Sequence, residues 1–493
     1  MNEKKVDKDL KLSYIGAGSF RFSIGLFRNI IAANEIFPYE VCLHDIDAKS
    51  LDIMTRILNR MINKANASVK VTSTLDRREC LENASFVFKS ISVGMQEAEW
   101  YDIHLPQKFG IPQNTGDTCG PGGLFRGLRC IGPVQAIARD MKELCPDAVL
   151  LNYTNPQATI VMAARRISSD LQYIGLCHEL FGGMGSVKKA LDQKDIEVES
   201  WRDLEIQYGG VNHFTWLTSV KRDGKDLYPI LRENWKEFMN KVGRPFNWFL
   251  LGKYGTFPIP GSRHVAEFLP EYYNYFNHMS KPFGITKLRQ VHLLDLARRG
   301  AYWIFRRMAG WAPVPGTTRK GEKAIDMTID WLENNPEQHV VNLPNKGLIP
   351  NLPEGAIVEI PGVFRNGKMV GVKMDPLPED VANLVRVHAE QQFLTVDAGV
   401  NNNPDLIIKA MLHDPMNKFI EDDDKITDLT WNMLAYEKKW LPEEWHEWIP
   451  EIDNLKKRKY FVEKSELRPK KAARKVKYPV NPKLREKAYF YNE

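Results

Sequence analysis

Two short apolar runs in this chain of 493 residues end in atoms that can hold a metal. Tyr173 to Leu176 reads as a buried strand; Cys177 and His178 follow it directly, and Glu179 comes next. About thirty-five residues on, Ile206-Gln-Tyr-Gly-Gly-Val closes on Asn212 and His213. A thiolate and an imidazole at neighbouring strand ends suit a divalent transition metal that keeps open positions for a substrate. The same residues also suit a buried free cysteine and a hydrogen-bonded core histidine, and the remainder of the chain bears on the choice.

The elements that must position these donors begin near the N-terminus. Lys11-Leu-Ser-Tyr-Ile is a strand running into Gly16-Ala-Gly18-Ser19, and helical periodicity follows through Ile24, Leu26, Phe27, Ile30 and Ile31. Gly16 and Gly18 permit a tight turn and a close approach of backbone to a pyrophosphate at the helix N-terminus. The third glycine of the dinucleotide fingerprint is missing. A second strand, Glu40 to His44, ends in Asp45, an acid of the type that bonds ribose hydroxyls, somewhat beyond the usual spacing of about 20 residues. An acid there favours NAD over NADP, because it repels a 2′-phosphate. A helix over Leu51 to Ala65, strands near Lys70 and over Ser85 to Gly94, and a helix from Glu97 to Leu105 come next. Residues 110 to 133 read as a glycine-rich loop carrying Asp117, Arg126 and Arg129, a composition that suits substrate binding. Ala148 to Asn152 is another buried strand, followed by Tyr153-Thr-Asn155-Pro156. Several strands thus end in polar residues at the edge where doubly wound sheets bind ligands.

Beyond His213 the alternation loosens. Residues 230 to 330 read as largely helical, interrupted by Tyr254-Gly-Thr-Phe-Pro-Ile-Pro-Gly-Ser262-Arg263-His264; residues 338 to 375 read as β structure and Leu377 to Leu412 as mostly helix. The expected fold class is α/β: a Rossmann doubly wound sheet over residues 1–200, a mixed α/β substrate and metal domain over 201–440, and a basic extension over 441–493.

Charge and cysteine usage bound the partners. The net charge of +6 is a tail property: residues 454 to 493 hold 14 Lys/Arg against 4 Asp/Glu, which leaves the rest of the chain at −4. Cys42, Cys80, Cys119, Cys130, Cys145 and Cys177 form no CxxC pair and suit a reduced, cytoplasmic protein. No apolar run of about 18 residues is present. The expectation is a cytoplasmic homodimer or homotetramer acting on a small molecule, with no nucleic acid and no membrane as partner.

Together, Tyr14-Ile-Gly-Ala-Gly-Ser, Asp102-Ile-His-Leu-Pro, Gly116-Asp-Thr-Cys-Gly-Pro-Gly-Gly-Leu-Phe-Arg-Gly-Leu-Arg, Asn152-Tyr-Thr-Asn-Pro, Cys177-His-Glu, Val211-Asn-His-Phe-Thr-Trp and Arg263-His-Val-Ala-Glu-Phe-Leu-Pro resemble glycoside hydrolase family 4, the NAD- and manganese-dependent glycosidases. Asn342-Leu-Pro-Asn-Lys-Gly and Val396-Asp-Ala fit as well, and the nearest branch is the α-galacturonidases. The resemblance spans roughly residues 10 to 415. It implies a fold like lactate and malate dehydrogenases, with NAD and Mn²⁺ as cofactors. It implies cleavage without net oxidation: hydride leaves sugar C3, a base removes the C2 proton, the aglycone is eliminated, water adds and the hydride returns. Two-carboxylate glycosidases work differently.

The resemblance makes Cys177 and His213 the metal ligands and sets Asn155 on the sugar hydroxyls. Tyr254 is the expected C2 base, its phenol lowered from about 10 by Mn²⁺ and Arg263. His178, and less directly Asp117, would assist departure. Gly16, Gly18, Ser19 and Asp45 would hold the cofactor. Arg126, Arg129 and Arg263, with His264 beside them, are expected to read a sugar carboxylate. One departure stands out: Gly261-Ser262-Arg263-His264 replaces the Gly-Asp-Arg-His common in relatives. A 6-phospho-α-glucosidase and a net oxidoreductase of the malate dehydrogenase kind are the alternatives, and Cys177 argues against the second.

Overall fold

The computed structural model describes residues 10–467 apart from 20–21, 34–39, 112, 114, 270, 273–302 and 317–323. Six strands, β1 (Lys11–Ile15), β2 (Glu40–His44), β3 (Lys70–Thr74), β4 (Phe86–Lys89), β5 (Val149–Asn152) and β6 (Gln172–Leu176), pair in parallel in the order 3-2-1-4-5-6. That is the dinucleotide-binding order. Helices cover both faces, so β4 and β5 are buried at every position, as the near-continuous apolar sequences Phe-Val-Phe and Val-Leu-Leu require.

The connecting helices are α1 (Ser23–Ala32), α2 (Ala48–Ala65), α3 (Arg77–Leu81), α4 (Met95–Phe109), α5 (Gly120–Leu144), α6 (Gln157–Arg165) and α7 (Glu179–Asp192). Asp47 caps α2 by accepting the Lys49 and Ser50 amides, and Leu51, Met54, Leu58 and Met61 face the core. Asn66, left-handed at φ 52°, ends it.

The glycine-rich segment differs from expectation. Only the part up to Cys119 is loop; Gly120-Pro-Gly-Gly opens α5. A Cβ on Gly122 would stand 2.5 Å from the Asp102 carbonyl oxygen, and one on Gly123 would stand 2.4 Å from the backbone of Thr118. These glycines serve close packing of helix on chain rather than mobility.

The second half continues the same sheet. β7 (Glu205–Val211), β8 (Phe214–Arg222), β9 (Lys225–Asp226), β10 (Phe257–Pro258), β11 (His339–Pro344), β12 (Ile357–Arg365) and β13 (Lys368–Gly371) extend it antiparallel, in the order β10-β8-β7-β12-β11 and then β6. β6 and β7, successive in sequence, are therefore separated in the sheet by β11 and β12. The strand ends carrying Cys177 and His213 are not neighbours, which corrects the expectation. The remaining helices are α8 (Tyr228–Glu233), α9 (Trp235–Lys241), α10 (Pro245–Tyr254), α11 (Ser262–Phe268), α12 (Ala324–Glu333), α13 (Glu379–Val400), α14 (Pro404–His413), α15 (Asp423–Glu437) and α16 (Ile452–Leu455), of which α13 packs on α5 and α6 and α15 on α4.

The segment expected to be a basic extension is integral to the body as far as residue 467. Glu437, at the end of α15, is fully buried and ion-paired with Arg129. The Tyr436 hydroxyl donates to the Val462 carbonyl at 2.7 Å, and Trp445, Leu455, Val462 and Leu467 are buried. Residues 468–493 lie outside the described residues. Truncation before Asn454 removes Leu455, Val462 and Leu467 from the core and should lower stability by several kcal/mol. Thermal melts of the truncated and the full-length chain check this.

Candidate active site

At the end of β1 the backbone turns tightly. Gly16 has φ +90°, and a Cβ there would fall 2.1 Å from the Ser90 carbonyl oxygen. The Gly18 amide donates to Asp45 Oδ2 at 2.8 Å, and a Cβ on Gly18 would meet that carboxylate. The Ser19 amide donates to the Gly16 carbonyl at 3.2 Å. No side chain caps the start of α1, and a helix N-terminus of this kind favours an anion. Beyond β2 and β3, His44, Ile46, Leu75, Asp76, Arg77 and Arg78 line an open groove. Arg77 is engaged with Asp140, and Arg78 with Asp140 and Glu143.

The metal-type donors converge on Asp117. Its Oδ1 lies 3.9 Å from Nδ1 of His213 and 3.9 Å from Nδ1 of His264. The two imidazoles are 4.2 Å apart between centroids. One donor atom from each of the three residues lies within 4.8 Å of the others. Thr118 fixes the arrangement: its hydroxyl donates to Asp117 at 2.7 Å and lies 2.8 Å from His213 Nδ1. With its single proton directed at Asp117, that hydroxyl accepts from Nδ1–H and leaves His213 Nε2 with a free lone pair. His213 sits in the two-residue turn between β7 and β8 at φ +63°, a left-handed conformation rare for a residue with a Cβ. The Asp117 loop is held from α11, where buried Glu267 accepts the Thr115 and Gly116 amides at 2.6 and 3.2 Å and the Gln113 amide at 2.8 Å.

Burial alone would raise the Asp117 carboxyl, but the His264, His213 and Arg126 charges outweigh it and hold the group below the carboxylate range. Burial, with His264 beside it, lowers His213 to about 4. Glu179 is also depressed against its burial, by His264, His213 and the Gly261 amide, which donates to it at 2.6 Å. Cys177 is within electrostatic reach of Glu179 and Glu359, as His213 is. Burial and the Glu359 charge raise the Cys177 thiol well above its ordinary value. A bound cation reverses that balance, because a coordinating thiol is deprotonated. Carboxylate and imidazole donors in one cluster form a site that fits a first-row divalent metal.

The remaining expected residues divide. Arg126 donates from Nε to the Asn155 carbonyl at 3.1 Å and acts on Asp117, so Arg126 and Asn155 flank the cluster. Arg263 is exposed and precedes half-buried His264 in the first turn of α11. His178 is exposed at the start of α7. Arg129 is corrected: fully buried, it grips Asp102 with two bonds of 2.8 and 2.7 Å and also pairs with Glu437, so it reads no substrate. The Tyr254 hydroxyl meets Tyr272 at 2.9 Å and its ring packs edge-on against Trp216. In the metal-free chain burial raises its phenol, with Glu271 and Asp380 adding to the shift and the Tyr272 hydrogen bond opposing it. Ser262, in place of the common aspartate, donates to Asn247 Oδ1 at 2.6 Å. Glu179, Glu267 and Thr118 stand inside motifs noted in the sequence, but their roles depend on partners that spacing does not reveal.

The chain matches the family 4 glycosyl hydrolase model over residues 11–193 and the model of that family's C-terminal domain over residues 208–417. It belongs to the family 4 glycosyl hydrolases and is a glycosidase. An α-galactosidase of Bacillus subtilis is 32% identical over 444 residues, 88% of this chain and 99% of the relative. An α-galacturonidase of Thermoanaerobacterium saccharolyticum is 32% identical over 463 residues, 88% of this chain and 97% of the relative. Among solved structures, the putative glucosidase lplD of Bacillus subtilis superposes with a TM-score of 0.78 at 27% identity, over 86% of this chain and 99% of that one. No helix among the described residues is long and apolar enough to cross a membrane.

His213 supplies a pH test. Its folded value of about 4 lies below the ordinary value near 6.5. Below about pH 6.5 the unfolded chain takes up a proton that the folded site refuses, so the metal-free protein should lose stability as pH falls from about 6.5 towards 4. Over that window the loss assigned to His213 is on the order of 3 kcal/mol. The variant His213→Gln should show a shallower decline in denaturant titrations across it.

Proposed function

We propose that this enzyme is an NAD- and Mn²⁺-dependent glycosidase for an anionic sugar, an α-galacturonide, working by oxidation at C3, proton removal at C2, elimination, hydration and re-reduction. The observation that carries this reading is the Asp117–His213–His264 cluster, on a sheet whose other half carries a dinucleotide cradle. When bound, NAD accepts and returns the C3 hydride, and the metal polarises the oxygens of the C2–C3 unit. A 6-phospho-α-glucosidase solved with NAD and Mn²⁺ shares the fold, at 21% identity and a TM-score of 0.73.

Gly16, Gly18 and Ser19 would receive the pyrophosphate and Asp45 the ribose. Among the described residues, Arg77 and Arg78 near this site are engaged with Asp140 and Glu143 rather than open to a 2′-phosphate, which supports NAD. Cys177 and His213 would hold the metal, with Asp117 as a further oxygen donor. Asn155 would bind the sugar hydroxyls, while Arg126 and Arg263 would receive the uronate carboxylate. His264, half-buried and electrostatically paired with Asp117, is placed to handle the C2 proton in preference to Tyr254. His178, exposed at the rim, would assist the departing aglycone. Cytoplasmic location and a homodimer or homotetramer remain part of this proposal.

Nitrophenyl glycosides assayed with NAD, Mn²⁺ and reductant should show turnover of the α-galacturonide. Preference for the neutral α-galactoside would overturn the uronate assignment, and preference for a 6-phosphoglucoside would favour the phosphosugar reading. In D₂O the product should carry deuterium at C2. The variant Tyr254→Phe should keep C2 exchange and His264→Gln should lose at least about 100-fold, the scale of a lost general base. Proton NMR of the product decides between them. Separately, Asp45→Ala should weaken NAD binding and narrow its preference over NADP; unchanged NAD affinity would remove Asp45 from the ribose site.

A further inference from the structure

Between β6 and β7 stands β12, and its Glu359 is buried to 1% exposure. It is paired across the sheet with Asn342 on β11 and with Gly210 on β7. Its carboxylate collects donors from two strands and a turn. Oε2 accepts Asn212 Nδ2 at 2.7 Å and Asn342 Nδ2 at 3.2 Å; Oε1 accepts the Thr215 hydroxyl at 2.7 Å. The Asn342 amide nitrogen that donates to Oε2 also lies 3.5 Å from the Gly175 carbonyl on β6, two residues before Cys177. Asn212 precedes His213, and Cys177 follows β6. One buried acid therefore bonds the turn that carries one arm of the proposed metal site and, through Asn342, reaches the strand that carries the other.

We propose that Glu359 is the positioning residue that sets Cys177 and the Asn212–His213 turn at a fixed separation for the metal. The inference rests on the metal reading given above. The chemistry requires a carboxylate at this position. An ionised carboxylate only accepts, so each facing asparagine must present its amide nitrogen. That fixes both rotamers and leaves Asn212 Oδ1 and Asn342 Oδ1 buried without a protein partner. An amide in place of Glu359 would set an N–H₂ against one of those donors and release the turn. Asn342, present in a recognised motif yet without a role of its own, gains one as the β11 contact of this acid. Conserved geometry around metal ligands commonly depends on such outer hydrogen bonds, and losing one weakens metal binding by about 10–100-fold.

The test titrates Co²⁺ alone into the full-length protein and follows the thiolate-to-cobalt charge-transfer band. Wild type should develop the band and Cys177→Ala should not; a wild type without the band would overturn the metal reading itself. Given the band, Glu359→Gln should weaken Co²⁺ by about 10–100-fold while NAD affinity, read by direct titration, stays within about twofold of wild type. Thr215→Val, which removes one donor to the carboxylate and keeps side-chain shape, should weaken Co²⁺ in the same direction by less, and it decides the matter if Glu359→Gln does not fold. Co²⁺ affinity equal to wild type in the folded variants would overturn the positioning role. An equal loss of NAD and Co²⁺ affinity would also overturn it, because it would mark a general loss of packing.

Discussion

A carboxylate cannot remain ionised out of water without compensation, and Asp117 is such a carboxylate. Its compensation comes from two imidazoles, a guanidinium and a hydroxyl, drawn from four places in the chain. Each has to arrive from a different element. His213 comes from a hairpin turn forced into left-handed backbone, His264 from the first turn of a short helix, Arg126 from α5 and Thr118 from the adjacent loop position. The loop in turn depends on Glu267, reaching across from α11. Strain at His213 is tolerable because the turn is held from both sides, by Thr118 at the imidazole and by Glu359 at the neighbouring amide.

What was legible in the sequence was local. Gly16, Gly18 and Asp45 could be read because a turn after a strand has few solutions, and the structure places the acid's oxygen on the Gly18 amide. The parallel half of the sheet followed from alternating apolar runs and helical periods. What escaped was long-range. Arg129 looked like a surface reader of anions beside glycines, yet its partner Glu437 stands 308 positions away. Glu359 looked like an ordinary polar residue in a strand, and only its donors, 144 and 147 positions back, reveal its work. Tyr254 meets Tyr272, 18 positions on, and Trp216, contacts that its own motif does not reveal.

The ion pair of Arg129 with Asp102 and Glu437 shows how the C-terminal segment is joined to the cofactor half. Two buried acids share one guanidinium. Burial, with the Asp102 charge adding to it, raises Glu437 against the lowering by the Arg129 charge. Asp102 sits on α4, and its carbonyl oxygen lies against Gly122 in the first turn of α5. The residues beyond 430 thus brace the helix that follows the Asp117 loop, and Tyr436 stacked on Tyr101 adds an aromatic contact to the same joint.

The unbroken sheet also governs how this enzyme can move. β6 and β11 are hydrogen-bonded, so the dinucleotide half and the substrate half share one ladder of backbone bonds. Rotating one half against the other would break that ladder at its seam and bare the core packed on both faces. A hinge of the kind that closes two-lobed enzymes around their substrates is therefore unavailable here. Any opening at the site therefore falls to side chains and short segments, such as those that carry exposed His178 and Arg263, rather than to whole lobes.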